Sequence, residues 1–251
     1  MEWSDEAIVL NAERYGEADC ILDVMTPAHG RHRGYVKGGM GRRQRANIQP
    51  GNEVVISWRA RVEDQLGNFT LEPKRARVAD LLSSRERLAA FLSVAALLVV
   101  AMPEREPHER VYNGLIALLD LLADEEAGLM DYGAGLVRLE LGVLGELGFG
   151  LDLSACASTG VTEDLVYVSP KTGRAVSRQA GAPYKKKLLA LPGFLLGGTG
   201  AGVVMQDVTD GLALTGYFLE RHMHLSRAEA LAHARARFAE LFQAESAENP
   251  F

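Results

Sequence analysis

Cysteine is nearly absent. Cys20 and Cys156 are the only two in the 251-residue chain, so a disulfide framework is excluded and a reducing compartment fits better. Long apolar runs are missing as well. The longest, Leu88 to Met102, is bounded by Arg87 and by Pro103-Glu104 and falls short of the roughly 20 residues that cross a bilayer. It predicts a helix buried on most sides. The amino terminus has no basic segment followed by an apolar stretch, because Glu2, Asp5 and Glu6 stand there, and the expectation is a protein that stays in the cytoplasm. Catalytic signatures are absent too. No Ser/His/Asp, Cys/His or clustered-carboxylate arrangement has motif spacing, and His222 and His224 point to different sides of a helix. The glycine-rich run Leu196 to Gly202 lacks a following GKS or GKT and leads into Val203-Val204-Met205, so it reads as a mobile inter-helix linker rather than a phosphate loop. Neither an enzyme nor a cofactor is expected.

What is present is charge of one sign in one place. The formal net charge is -6, yet Arg31, Arg33, Lys37, Arg42, Arg43 and Arg45 follow one another with no acidic residue among them. A cationic patch so segregated in an acidic protein calls for a polyanionic partner, and nucleic acid is the first candidate. Alternation in the next apolar run puts Val54, Ile56, Trp58 and Ala60 on one face and Val55, Ser57, Arg59 and Arg61 on the other. Arg59 and Arg61 thereby extend the cationic surface, and the Gly38-Gly39-Met40-Gly41 loop, read as flexible, presents Arg42, Arg43 and Arg45. Tyr35 is the aromatic placed to stack on an unpaired base, a contact of about 1–3 kcal/mol.

Short apolar runs separated by turn residues fill the first part of the chain: Ala7 to Leu10, Cys20 to Val24, Gly34 to Val36, Glu53 to Trp58 and Gly67 to Leu71. Five strands in this length predict an OB-type barrel. From Asp80 onward the apolar period becomes helical, with Pro103 and Pro107 separating the first two helices, Leu136 to Leu147 supplying a third, and Ser226 with Glu229 forming a capping box for a last one. The chain is therefore expected to be α+β, with an OB-fold nucleic-acid-binding domain at 1–79 and a mainly helical domain at 80–251. Within the latter, 152–182 is a small strand-containing insert around the turn Ser169-Pro170-Lys171-Thr172-Gly173. It has the outline of a zinc ribbon without its ligands: Thr159, Ser177 and Ala180 stand where thiols would be needed beside Cys156, and one thiol holds no zinc.

These residues resemble a known family. Ile21-Leu22-Asp23-Val24-Met25-Thr26, Gly30-Arg31-His32-Arg33, Val36-Lys37-Gly38 and Asn47-Ile48-Gln49-Pro50-Gly51 are similar to the amino-terminal OB domain of the RecO family of bacterial recombination mediators. Leu139-Glu140-Leu141, Leu147-Gly148-Phe149, Leu151-Asp152-Leu153 and the stretch from Leu165 to Gly173 resemble its carboxy-terminal half. The resemblance implies an OB fold followed by a helical domain, binding of single- and double-stranded DNA, annealing of complementary strands, and partnership with RecR and with the tail of single-stranded-DNA-binding protein (SSB). It further implies recombinase loading on SSB-coated strands in gap repair, at the nucleoid. Many members carry a four-cysteine zinc site; with only Cys156 in the insert, zinc is not carried over. The charge pattern also permits an RNA-binding OB module with a helical protein-docking domain. Finally, the acidic end closing in Asn249-Pro250-Phe251 resembles the SSB tail and suggests competition for the same pocket.

Overall fold

In the computed structural model, which describes residues 1–197, 202–222 and 228–248, five strands close into a barrel. They are β1 (Glu2–Tyr15), β2 (Asp19–Thr26), β3 (Gly30–Val36), β4 (Glu53–Arg59) and β5 (Asn68–Arg75). The order is β1-β2-β3-β5-β4 with β4 returning to β1, and every pairing is antiparallel except β3 with β5, which meet at Tyr35 and Asn68. This is the OB arrangement expected from the alternation. Closure is possible because β1 is long: Glu2 to Ile8 pairs with β4 and Ile8 to Tyr15 with β2, around an irregularity between Val9 and Asn11. One face of each strand fills the interior, with Val9, Leu22, Val24, Val54, Ile56 and Trp58 in its core. Burial of these side chains is the main force closing the sheet.

The turn into β3 requires glycine. Gly30 has φ +65° and an added Cβ would lie 1.8 Å from the carbonyl oxygen of Glu106, so neither its backbone nor its surroundings admit a side chain.

Three helices belong to the same compact unit as the barrel, residues 1–124: α1 (Val78–Leu82), α2 (Arg85–Ala101) and α3 (Glu109–Ala123). The Ser84 hydroxyl accepts from the Arg87 N–H to open α2, and the break between α2 and α3 falls at Pro103 and Pro107 as their geometry predicts. The apolar run is a helix buried along Ala90, Phe91, Val94, Ala95, Leu97 and Leu98. Buried Arg77 links barrel and helices, with Nε 2.5 Å from Glu53 and Nη1 2.7 Å from Asp120.

The second unit, residues 125–251, contains α4 (Leu129–Glu146), β6 (Leu165–Val168), β7 (Ala175–Ser177), α5 (Arg178–Gly181), β8 (Leu189–Ala190), α6 (Met205–His222) and α7 (Ala228–Glu248). The small strands form a sheet in the order β7-β6-β8. Its first two strands and their turn are the ones expected from the sequence, whereas β8 and α6 have no counterpart in that reading. Fully buried Glu140 on α4 accepts from Arg235 of α7 at 2.6 and 2.9 Å and from Thr215 of α6, fastening three helices through one satisfied charge. No helix among the described residues is long and apolar enough to cross a membrane. The Ser226–Glu229 capping box, His224, most of the glycine-rich run and the terminal Asn249-Pro250-Phe251 lie outside what the structure describes.

Candidate nucleic-acid interface

The segment between β3 and β4 organises the cationic surface. Ile48, only 2% exposed, belongs to the barrel core, and successive turns lead to it: Gly41 N–H donates to Gly38, Arg45 N–H to Gly41 and Ile48 N–H to Gln44. At its start Met40 N–H donates to the Ala18 carbonyl at 2.8 Å, and Gly39 lies so close to the barrel that a Cβ would sit 2.4 Å from Cys20 Sγ. At its end buried Asn52 donates to the Ala46 carbonyl and accepts from the Arg77 and Val78 N–H groups. The expectation of a flexible loop is therefore corrected. Ile48 plugs the barrel, and the backbone hydrogen bonds are satisfied locally.

On this plug Arg42, Arg43 and Arg45 are exposed, and none forms an ion pair with a described residue. Lys37, just after β3, is exposed too. Arg59 and Arg61, at the end of β4 and just beyond it, are likewise exposed. They are near in the fold as well as in charge: Tyr35 pairs with Asn68, which pairs with Arg59, so the segments after β3 and after β4 both flank the Tyr35 end of β3. The packing face of β4 is as the alternation predicts, with Val54, Ile56 and Trp58 buried.

Arg31 departs from the expectation. It is 4% exposed, with Nε and Nη2 on the Asp23 carboxylate at 3.0 and 2.7 Å and Nη1 on the Met102 carbonyl at 3.1 Å. Its Nη2 also lies 3.6 Å from Glu104. Burial pushes the Asp23 carboxyl above its ordinary value, and the Arg31 guanidinium works against that rise. Arg31 is thus a structural cation holding β3 to β2 and to the chain after α2, and is withdrawn from any polyanion. Arg33, two residues on, is intermediate: half-buried, 3.8 Å from Glu13 and 3.9 Å from Asp23.

Tyr35 is half-buried, and its hydroxyl donates to Asp19 at 2.5 Å. The Gly38 N–H and then the Tyr35 hydroxyl, with Lys37 adding charge, hold the Asp19 carboxyl below its ordinary value. The more open ring is Tyr15, 58% exposed and edge-on to Tyr35 at 6.0 Å. Sequence reading missed it because Tyr15 looks like a turn residue beside Gly16. A second cationic cluster has the same standing. Tyr184, Lys185, Lys186 and Lys187 are all exposed on a 3-10 helix spanning Ala182–Lys187, and the run of three lysines beside an aromatic was the available signal.

The insert does not fit a metal. Cys156 is buried, its Sγ accepts from the Ser177 N–H at 3.3 Å, and the Thr159 and Ser177 hydroxyls are directed at it. These hydroxyls satisfy the thiol where a zinc site would need further thiolate or imidazole ligands.

Known proteins match along most of the chain. The family model described as Recombination protein O N terminal covers residues 1–76, and Recombination protein O C terminal covers residues 82–229. The DNA repair protein RecO of Rhodospirillum rubrum is 47% identical over 248 residues, 98% of both chains. That of Methylobacterium nodulans is 47% identical over 250 residues, 98% of this chain and all of the relative. That of Beijerinckia indica is 49% identical over 239 residues, 95% and 94% of the two chains. A five-stranded OB barrel carrying an exposed cationic plug, a helical region behind it in sequence and this extent of identity together make the chain a member of the RecO family of DNA repair proteins.

Proposed function

We propose that this protein is a DNA-binding recombination mediator that performs no covalent chemistry. It binds single strands, anneals complementary ones and, with RecR, helps to load recombinase onto SSB-coated DNA in gap repair, working in the cytoplasm at the nucleoid. The observation that carries this reading is the trio Arg42, Arg43 and Arg45, exposed and without a carboxylate partner among the described residues, on a plug anchored by Ile48. Unpaired guanidinium groups on a rigid support neutralise phosphates without first breaking an internal ion pair, and release of condensed counterions then drives association. Lys37, Arg59 and Arg61 extend the surface, Arg33 and Tyr35 border it, and Arg31 is excluded from it.

Annealing follows from the same electrostatics. Two strands repel through their phosphates, and a cationic surface that holds both lowers that repulsion while leaving base edges to pair. Strand binding is assigned to residues 1–79 and docking of the SSB tail to 80–251.

The test is annealing of complementary SSB-coated oligonucleotides with and without the protein. Acceleration supports a mediator, while strand binding without acceleration reduces the protein to a passive binder. Stronger binding of RNA than of DNA of equal length would transfer the activity to RNA.

A further inference from the structure

We propose that the mouth of the barrel is a capture site for a single unstacked nucleobase, so that an unpaired strand gains a contact that an intact duplex lacks. The inference rests on the DNA-binding reading but uses other residues. A cavity of about 410 Å³ opens there, lined chiefly by Trp3, His29, His32, Trp58, Glu63 and Arg105, a size within the range of small-ligand sites.

The rings form a column. Trp58 and Trp3 lie 5.7 Å apart at 22°, and His29 continues the stack on Trp3 at 3.8 Å and 7°. The Asp5 carboxylate fixes the His29 ring through Nδ1 at 2.9 Å. His29 keeps 32% of its side chain exposed, so the column ends on a ring that another planar ring can extend. His32 stands edge-on to both tryptophans at 5.1 and 5.2 Å. Burial lowers its pKa, and its Nδ1 lies 3.0 Å from the Arg33 carbonyl. That pairing makes Nδ1 the protonated nitrogen and leaves Nε2 as an acceptor.

Arg105 borders the rings. It adopts φ +68°, a left-handed conformation uncommon outside glycine. Its N–H donates to the Arg31 carbonyl at 2.8 Å and its Nη2 to the Gln65 carbonyl at 2.9 Å. Its Nη1 stands 3.8 Å from the Asp64 carboxylate, too far for a hydrogen bond, and is the donor left for a ligand acceptor. A nucleobase matches each feature, having a π-face for the column, carbonyl or ring-nitrogen acceptors for Arg105, and amino or imino donors for His32. A phosphate has no π-face for the column, and Glu2 and Glu63 line the cavity beside Arg105. The backbone stays outside, where exposed Arg59 pairs in register with Glu2 and exposed Arg61 follows. A duplex base must leave its stack and its partner to enter, so unpaired strands are favoured.

The chain has two tryptophans and both line this cavity, so intrinsic tryptophan fluorescence reads this site alone. Oligothymidylate is expected to change the emission and to bind about tenfold more tightly than an abasic oligomer of equal length and charge, with a hairpin duplex producing no such change. His29→Ala and Arg105→Met should each abolish the emission change and narrow the difference between thymidylate and abasic oligomers, thermal melting confirming that both variants fold. Equal affinity and equal emission change for the abasic oligomer overturn the inference while leaving backbone binding intact, as does an equal change with the hairpin. Displacement of thymidylate by an aromatic dipeptide at lower concentration would give the cavity to a protein partner and also overturn it. Absence of binding to any oligomer would fell the DNA-binding reading itself. The comparison of thymidylate with abasic DNA on the unaltered protein does not depend on either variant folding.

Discussion

The start of β3 and the plug that follows it carry the same guanidinium groups under opposite circumstances. Arg31 is encased, its charge matched by Asp23 at 2.7 Å and its remaining donors turned towards Met102 and Glu104. Arg42, Arg43 and Arg45 stand in solvent without a described counter-charge. One cation holds strands together, and the others are left available. Availability to a ligand is therefore set by whether the fold has already supplied an anion, not by the density of arginine along the chain.

The sharpest way to break this contrast is to remove Arg31. Arg31→Ala leaves the buried Asp23 carboxylate with only the more distant Arg33 at 3.9 Å and should lower the unfolding free energy by about 3 kcal/mol in urea titration. The pair Arg31→Met with Asp23→Leu should recover much of that loss, because two well-packed apolar groups avoid the desolvation of both ions. A loss from Arg31→Ala below about 1 kcal/mol, as typical of exposed pairs, would place Arg31 among the free cations after all.

The opposite pattern is expected when Arg42, Arg43 and Arg45 are all replaced by Ala. The urea midpoint should stay in place, while the slope of log affinity for single-stranded DNA against log salt flattens by about 2, at roughly 0.7 for each phosphate no longer neutralised. An unchanged slope would take the plug out of the DNA site. A smaller effect is expected from Tyr15→Ala, which should weaken oligonucleotide binding about fivefold if its exposed ring stacks on a base, while Tyr35→Phe, keeping the ring, should leave affinity unaltered in the same titration.

The gentlest probe is pH. Burial lowers the pKa of His32 in the folded state, so below the unfolded imidazole value of about 6.5 the unfolded chain binds the additional proton. Stability should then fall as pH drops through that value and be fully present above it. His32→Gln should flatten this slope in urea titrations taken from about pH 7.5 to about pH 5.5. Guanidinium groups remain charged across that interval, so the salt slope attributed to the plug should not change with it.

Much of the barrel was legible beforehand, since period-two alternation from Val54 to Trp58 and turn glycines such as Gly30 leave few alternatives to short paired strands. The helix break at Pro103 and Pro107 was legible for a similarly local reason. The site was only partly so. Arg31 resembled its neighbours because Asp23, Met102 and Glu104 approach it from different parts of the chain. The glycines at 38, 39 and 41 suggested flexibility, yet Gly39 serves close packing on Cys20 and the following turns carry Ile48 into the core. Arg105 and the Trp3–His29 stack passed unnoticed because a strained backbone and a stacked pair distant in sequence have no one-dimensional signature.

By itself, the order of amino acids determined the five barrel strands and the helices that follow them (though not β8 or α6), where prolines and glycines interrupt them, and that positive charge is concentrated near β3. Those are short-range consequences of backbone sterics and of the spacing of apolar groups. Only the tertiary structure decided which arginines keep their charge for a ligand and which spend it on Asp23, and only it assembled the rings at the barrel mouth. Pairing of charges and stacking of rings depend on distance in space, which closure of the barrel creates.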